Sequence, residues 1–323
     1  MYNMKGFRIR LVVLAVAGVL ALTGAARAQV IKESPGKPWR GVPATAKKPE
    51  TVEIENLIAE RRFNEAKSRL KELLRPGEGP GRDILLFLQG KACYYSDDYD
   101  GMVAAFTQLR EQYGEGRFDR ETAEFEFTVA KAYLAGRKRK FLGIRFLSAY
   151  EEGIKMMRSL AERAPSGPMA QDAILAVAGY YAKAGQFNEA QQEYAFLIRN
   201  FPTSPYVEGA EFDVAYCLFL SNEGPAYDRV PLAEARDTVK FYLNKYPNGK
   251  FRKEAEALAL LVRDRLAQKE YLVADLYRRR GRPKAATMYL KGLVADYPDA
   301  PQAAQARLAL QELQGAQNKG KKT

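Results

Sequence analysis

The chain has 323 residues, a formal net charge of +12 and no histidine. The missing histidine excludes the commonest general base, the Ser/His and Cys/His pairs and most zinc sites. The two cysteines, Cys93 and Cys217, sit among apolar residues of predicted helices and read as buried free thiols, not as a disulfide.

The N-terminus reads as an export signal over residues 1–28. Lys5, Arg8 and Arg10 precede an apolar run from Leu11 to Leu22, and Ala26-Arg27-Ala28 is an A-x-A cleavage pattern that predicts Gln29 as the mature start. The apolar run is too short to span a bilayer. Neither cysteine stands at its end, so the sequence predicts export without lipidation. Without Lys5, Arg8, Arg10 and Arg27 the remaining chain stays near +8, which favours acidic protein surfaces or anionic headgroups and leaves a peripheral membrane association open. The basic residues are not interleaved with aromatics as in a nucleic-acid stacking groove.

Residues 29–50 read as a linker, with Pro35, Pro38, Pro43 and Pro49 among lysines. From 51 to 312 the periodicity is helical, without strand-length alternation. One motif repeats. Tyr181, Gly185, Ala190, Leu197 and Phe201-Pro202 return 96 residues later as Tyr277, Gly281, Ala286, Leu293 and Tyr297-Pro298. An aromatic, a glycine turn, a small residue and a terminating proline describe a helical hairpin that buries its apolar face only by stacking on neighbours.

Six units align on the small position: Ala66, Met102, Gly153, Ala190, Ala235 and Ala286. The third and fifth hold insertions, around Arg137-Lys138-Arg139-Lys140 and Ser221 to Pro225. The predicted fold is therefore all-α, a right-handed α-solenoid of about five to six hairpins. Residues 313–323 read as a basic disordered tail.

The spacing matches the tetratricopeptide repeat. A sharper resemblance lies over residues 170–302. Asp264-Arg265-Leu266-Ala267, Glu270-Tyr271 with Val273-Ala274 and Tyr277, Arg280-Gly281 and Asp296-Tyr297-Pro298-Asp299 occur in the order found in BamD-type outer-membrane assembly factors. The resemblance implies a periplasmic scaffold of the β-barrel assembly machinery, peripheral to the outer membrane. Its C-terminal repeats would bind the barrel insertase, and its N-terminal repeats the signals of unfolded outer-membrane proteins. The departure from that family is the missing lipidated cysteine.

Two sets of candidate residues follow. At the C-terminal repeat they are Arg265, Tyr271, Arg278, Arg279 and Arg280. The arginine run also has a structural explanation, since cations suit a helix C-terminus and Asp275 lies within pairing distance along the helix. For a peptide groove they are Phe87, Lys91, Tyr94, Phe127 and Lys131, because aromatics beside lysines suit a peptide with an aromatic side chain and a free carboxylate. The alternative is that these aromatics are core and the lysines a solvated face. Gly77 to Gly81 lacks the Lys-Ser/Thr of a phosphate loop and reads as a connection between repeats. No catalytic constellation is present, and the reading requires no enzyme activity and no cofactor. A general periplasmic adaptor in cell-envelope or division coordination is the alternative among binding proteins.

Overall fold

The computed structural model describes residues 48–75, 81–114, 116, 118–141, 144–163, 165, 168–222, 224 and 229–319. The expected export signal and nearly all of the expected linker lie outside them, as do Gly77 to Pro80. Among the described residues there are thirteen helices and one short β-hairpin. The chain divides into two compact units, residues 1–173 and 174–323.

The first unit contains α1 (Pro49–Ala59), α2 (Phe63–Leu73), α3 (Arg82–Tyr95), α4 (Tyr99–Tyr113), α5 (Asp119–Leu134) and α6 (Tyr150–Arg163). The strands β1 (Arg139–Phe141) and β2 (Ile144–Leu147) pair antiparallel between α5 and α6. These two short strands are the exception in a chain whose other described elements are all helices, as the all-α reading expects. Stretches of three and four residues are too short for alternation to show. Helix α7 (Pro168–Lys183) contains the division between the units. The second unit continues with α8 (Phe187–Asn200), α9 (Val207–Ser221), α10 (Val230–Lys245), α11 (Arg252–Arg279), α12 (Pro283–Asp296) and α13 (Pro301–Lys319). The last helix runs past the expected boundary at 312: Leu313, Gln314, Ala316 and Gln317 favour helix, no proline stops it, and Gly315 is tolerated within it.

The hairpins share one turn. At the end of α1, α3, α5, α7 and α11 a residue in the left-handed region closes the helix: Arg61 (φ 61°), Asp97 (φ 61°), Gly136 (φ 95°), Gly185 (φ 76°) and Gly281 (φ 66°). The amide of the next residue then donates back to the carbonyl five positions earlier. The pairs are Arg62 to Leu57, Asp98 to Cys93, Arg137 to Ala132, Gln186 to Tyr181 and Arg282 to Tyr277. This is the Schellman arrangement, which satisfies carbonyls that a helix end leaves open. Helix α9 ends differently: Asn222 is extended, with φ −82° and ψ 108°, at the expected insertion.

The small positions sit where expected. Ala66, Ala190, Ala235 and Ala286 are fully buried, as is Met102 at the equivalent place in the second repeat. At Gly153 a Cβ would meet the Ala130 carbonyl and the Tyr133 Cβ, each at 3.1 Å, so glycine allows α5 and α6 to approach closely. In the second unit three helices exit alike: the amides of Phe201, Tyr246 and Tyr297, each followed by proline, donate to Leu197, Tyr242 and Leu293 at 2.9 Å.

The core of the first unit joins Ile54, Leu70, Phe87, Met102, Phe106 and Tyr133. A buried ion triad ties its last three helices: Glu126 of α5, only 4% exposed, pairs with Arg110 of α4 at 2.9 Å and with Arg163 of α6. In the second unit α9 is buried on nearly every side, as expected of a helix that is apolar all round. A clasp holds α9 to α10: the buried Tyr242 hydroxyl donates to Glu208 at 3.0 Å and accepts from the Phe251 amide at 3.2 Å.

Candidate protein-docking surfaces

Helix α11 holds the C-terminal candidates. It contains no glycine or proline from Arg252 to Arg279 and is 28 residues long, twice the length of its partner α12. Its first part meets α10, and the ion pair of Arg229 with Glu270 at 2.9 Å marks where the start of α10 reaches it. Its last part meets α12, where the Tyr277 and Tyr289 rings stack at 5.4 Å.

Beyond Glu270 the helix leaves two leucines uncovered. Leu272 is 43% exposed and Leu276 45%. One stripe of α11 contains Arg265, Leu272, Leu276 and Arg279, at i, i+7, i+11 and i+14. Exposed leucines one turn apart beside arginines form an apolar and basic ledge suited to a protein partner.

Arg265 is half-buried at the root of that stripe. Its guanidinium lies 4.9 Å over the Phe219 ring and donates to the Asn222 carbonyl at 3.3 Å. Burial pulls its pKa down from the usual arginine value. Tyr271 is half-buried. Arg278 and Arg279 flank Asp275 at 2.8 and 2.7 Å, and these two hold its carboxyl below the usual carboxylate range, Arg278 first by hydrogen bonding. The local pairing expected from the sequence is therefore present, while the Arg279 side chain remains 77% exposed. Arg280 is exposed at the cap of the helix.

The groove candidates do not all face solvent. Phe87 is a correction: it is 1% exposed, and its ring stacks on Phe118 at 4.4 Å and lies 6.2 Å from Phe106. It belongs to the core because Phe118, from the start of the next repeat, closes over it. Lys91, Tyr94 and Phe127 are half-buried, and Lys131 is exposed. Tyr94 meets α5 through Phe125 at 4.7 Å. Phe127 and Lys131 occupy a different face of α5 from Phe125.

Tyr94 instead joins Tyr95, exposed and stacked on Phe63 at 6.0 Å, and Tyr99, in an aromatic patch that the sequence reading only partly anticipated. Burial pushes the Tyr94 and Tyr99 phenols up. Residues of the third-repeat insertion fold onto this patch. Arg137 lies 5.7 Å from the Tyr99 ring and 3.3 Å from Asp97, and Arg139 pairs with Asp100 at 3.0 Å and Glu152 at 3.1 Å.

Both cysteines are free and buried, and burial pushes each thiol up to about 12, so neither supplies a thiolate near neutral pH. Among the described residues no cluster of His, Cys, Asp or Glu could hold a metal ion, and no helix is long and apolar enough to cross a membrane.

Repeated hairpins closed by a common turn, with an uncovered helix face at one end, define a tetratricopeptide-repeat protein. Residues 147–320 match the family described as YfiO, outer membrane lipoprotein. The match covers more than half of the chain, which belongs to that family and resembles the BamD-type assembly factors within it. Two solved structures are similar. The crystal structure of PilW, described as a widely conserved type IV pilus biogenesis factor, is 17% identical, with 82% of this chain and 96% of that chain covered and a TM-score of 0.27. A tetratricopeptide repeat protein from Parabacteroides merdae is 12% identical, with 82% and 97% covered and a TM-score of 0.33.

Proposed function

We propose that this chain is a non-enzymatic scaffold of the outer-membrane β-barrel assembly machinery, exported to the periplasm and peripheral to the outer membrane. Family membership supports the envelope role. The observation behind the docking role is the uncovered end of α11, where Leu272 and Leu276 stand exposed between Arg265 and Arg279. Two leucines supply the desolvated centre of an interface, and arginines at its rim favour an acidic partner surface. The insertase is the partner assigned to this ledge.

In the first unit, Tyr94 and Tyr95, with Lys91 on the same helix, are assigned to the aromatic signals of unfolded outer-membrane proteins; Phe127 and Lys131, on another face of α5, are assigned to the flank of that site. Neither role needs a cofactor. The two cysteines are buried in α3 and α9, so the proposal places the chain at the membrane without a lipid on either.

In-cell crosslinking from a photoreactive residue at position 279 tests the docking role. Capture of a barrel-forming protein with periplasmic repeat domains is expected. Reproducible capture of a cell-wall or division protein instead would transfer the chain to envelope coordination and overturn the assembly role.

A further inference from the structure

A second surface lies at the turn between α10 and α11, away from the ledge. Residues 239–253 contain five cations, Lys240, Lys245, Lys250, Arg252 and Lys253, and no acid. Two of the five are engaged: Lys245 pairs with the buried Glu211 at 2.7 Å, and Arg252 pairs with Glu256 at 2.9 Å. No ion pair among the described residues engages Lys240, Lys250 or Lys253, and all three are exposed. Of the nearby acids, Glu254 follows Lys253 in sequence, and two others are bound locally. Glu208 accepts from the Lys250 amide and the Tyr242 hydroxyl, and Asp237 pairs with Arg236 at 2.9 Å.

Among these cations stands Phe241, 56% exposed, with the Lys245 ammonium 5.5 Å from its ring. On another face of α10 a cavity of about 360 Å³ is lined by Val239 and Leu243 together with Arg236, Lys240, Arg263 and Asp296. The pattern is an exposed ring set among lysines at the end of a helical hairpin.

We propose that this turn rests on the anionic headgroups of a membrane surface. Lys240, Lys250 and Lys253 would face the phosphates, and Phe241 would insert at the headgroup boundary. Lysines beside an anionic surface gain attraction that falls off within a Debye length, and an exposed aromatic ring adds apolar contact. A membrane fits better than an acidic protein because the only large apolar group exposed on the turn is a single ring, too little for the core of a protein interface. Membership in an outer-membrane lipoprotein family, with both cysteines closed inside helices, gives such a contact a use.

The test is flotation of the full chain with vesicles of phosphatidylglycerol and phosphatidylcholine in equal parts, against phosphatidylcholine alone. The expected result is salt-sensitive binding to the anionic vesicles only. The combined Lys240→Glu, Lys250→Glu and Lys253→Glu variant should weaken it roughly tenfold or more. Phe241→Ser should weaken it several-fold, with thermal unfolding unchanged; this single variant keeps the test decisive if the triple one folds poorly. Undiminished binding by both variants, or equal binding to neutral vesicles, would overturn the proposal. So would binding to soluble polyglutamate without binding to vesicles, which would assign the turn to an acidic protein. Because the turn is separate from the ledge, capture from position 279 should persist in these variants, and failure here leaves the docking role standing.

Discussion

Leu272 stands two helical turns beyond Arg265 on the same stripe of α11, and the two residues have opposite surroundings. Arg265 is half-buried over Phe219, while Leu272 is exposed. Helix length explains the inversion. The start of α10 meets α11 at Glu270, and α11 continues to Arg279. Charge is covered and hydrocarbon uncovered, the reverse of what a solvated helix end prefers, and a docked partner would resolve it.

The triad in the first unit should dominate its local stability. Glu126→Ala leaves Arg110 and Arg163 facing each other without their shared carboxylate. Because the side chains of Arg110 and Arg163 keep 24% and 30% of their surface in water, the loss stays below that of a fully buried pair, on the order of 1–3 kcal/mol. Urea unfolding should show a loss of that size, far above the effect of Glu124→Ala on the exposed side of the same helix.

Gly90 tests the packing of α3 on α4. A Cβ there would lie 2.1 Å from the Phe106 ring, which is fully buried near Phe87 and Phe125. Gly90→Ala gains helix propensity but forces the ring to move. The expected net effect is a loss on the order of 1 kcal/mol, and the double change with Phe106→Leu should cost less than the sum of the two single changes.

The shared turn gives a prediction of opposite sign. Arg61 holds the left-handed position that glycine holds at Gly136, Gly185 and Gly281. Arg61→Gly should stabilise the chain by about 1 kcal/mol, and Gly281→Ala should cost a similar amount. Paired denaturation curves check both signs.

Asp275 contributes to acid sensitivity. Its folded pKa is depressed by Arg278 and Arg279, so its contribution is present above the ordinary aspartate range and is lost as pH falls through the folded value. Asp275→Asn should lower stability slightly at neutral pH and flatten the acid limb below about pH 4, so that the two proteins converge in acid.

Much of this fold was legible because each hairpin repeats the same local chemistry. Tyr181 to Gly185 and Tyr277 to Gly281 announce the same turn, and Ala190 and Ala286 mark the same close approach. The arginines after Asp275 were legible for the same reason, since pairing three and four residues apart is local. What escaped depends on neighbours distant in sequence. Phe87 looked like a groove residue because periodicity cannot tell that Phe118 closes over it. Leu272 and Leu276 were not among the candidates, because nothing in α11 itself shows how far along it the start of α10 reaches. The β-hairpin escaped because its strands are shorter than the period that would reveal them.

The most direct test of the docking role is co-isolation of the barrel-forming protein with the wild-type chain and with the Leu272→Glu, Leu276→Glu variant. Both leucines are exposed, so thermal unfolding should stay nearly level, within about 0.5 kcal/mol per site. The account predicts loss of the partner in the variant and its retention in Lys131→Glu. Retention of the partner by the double variant would contradict it.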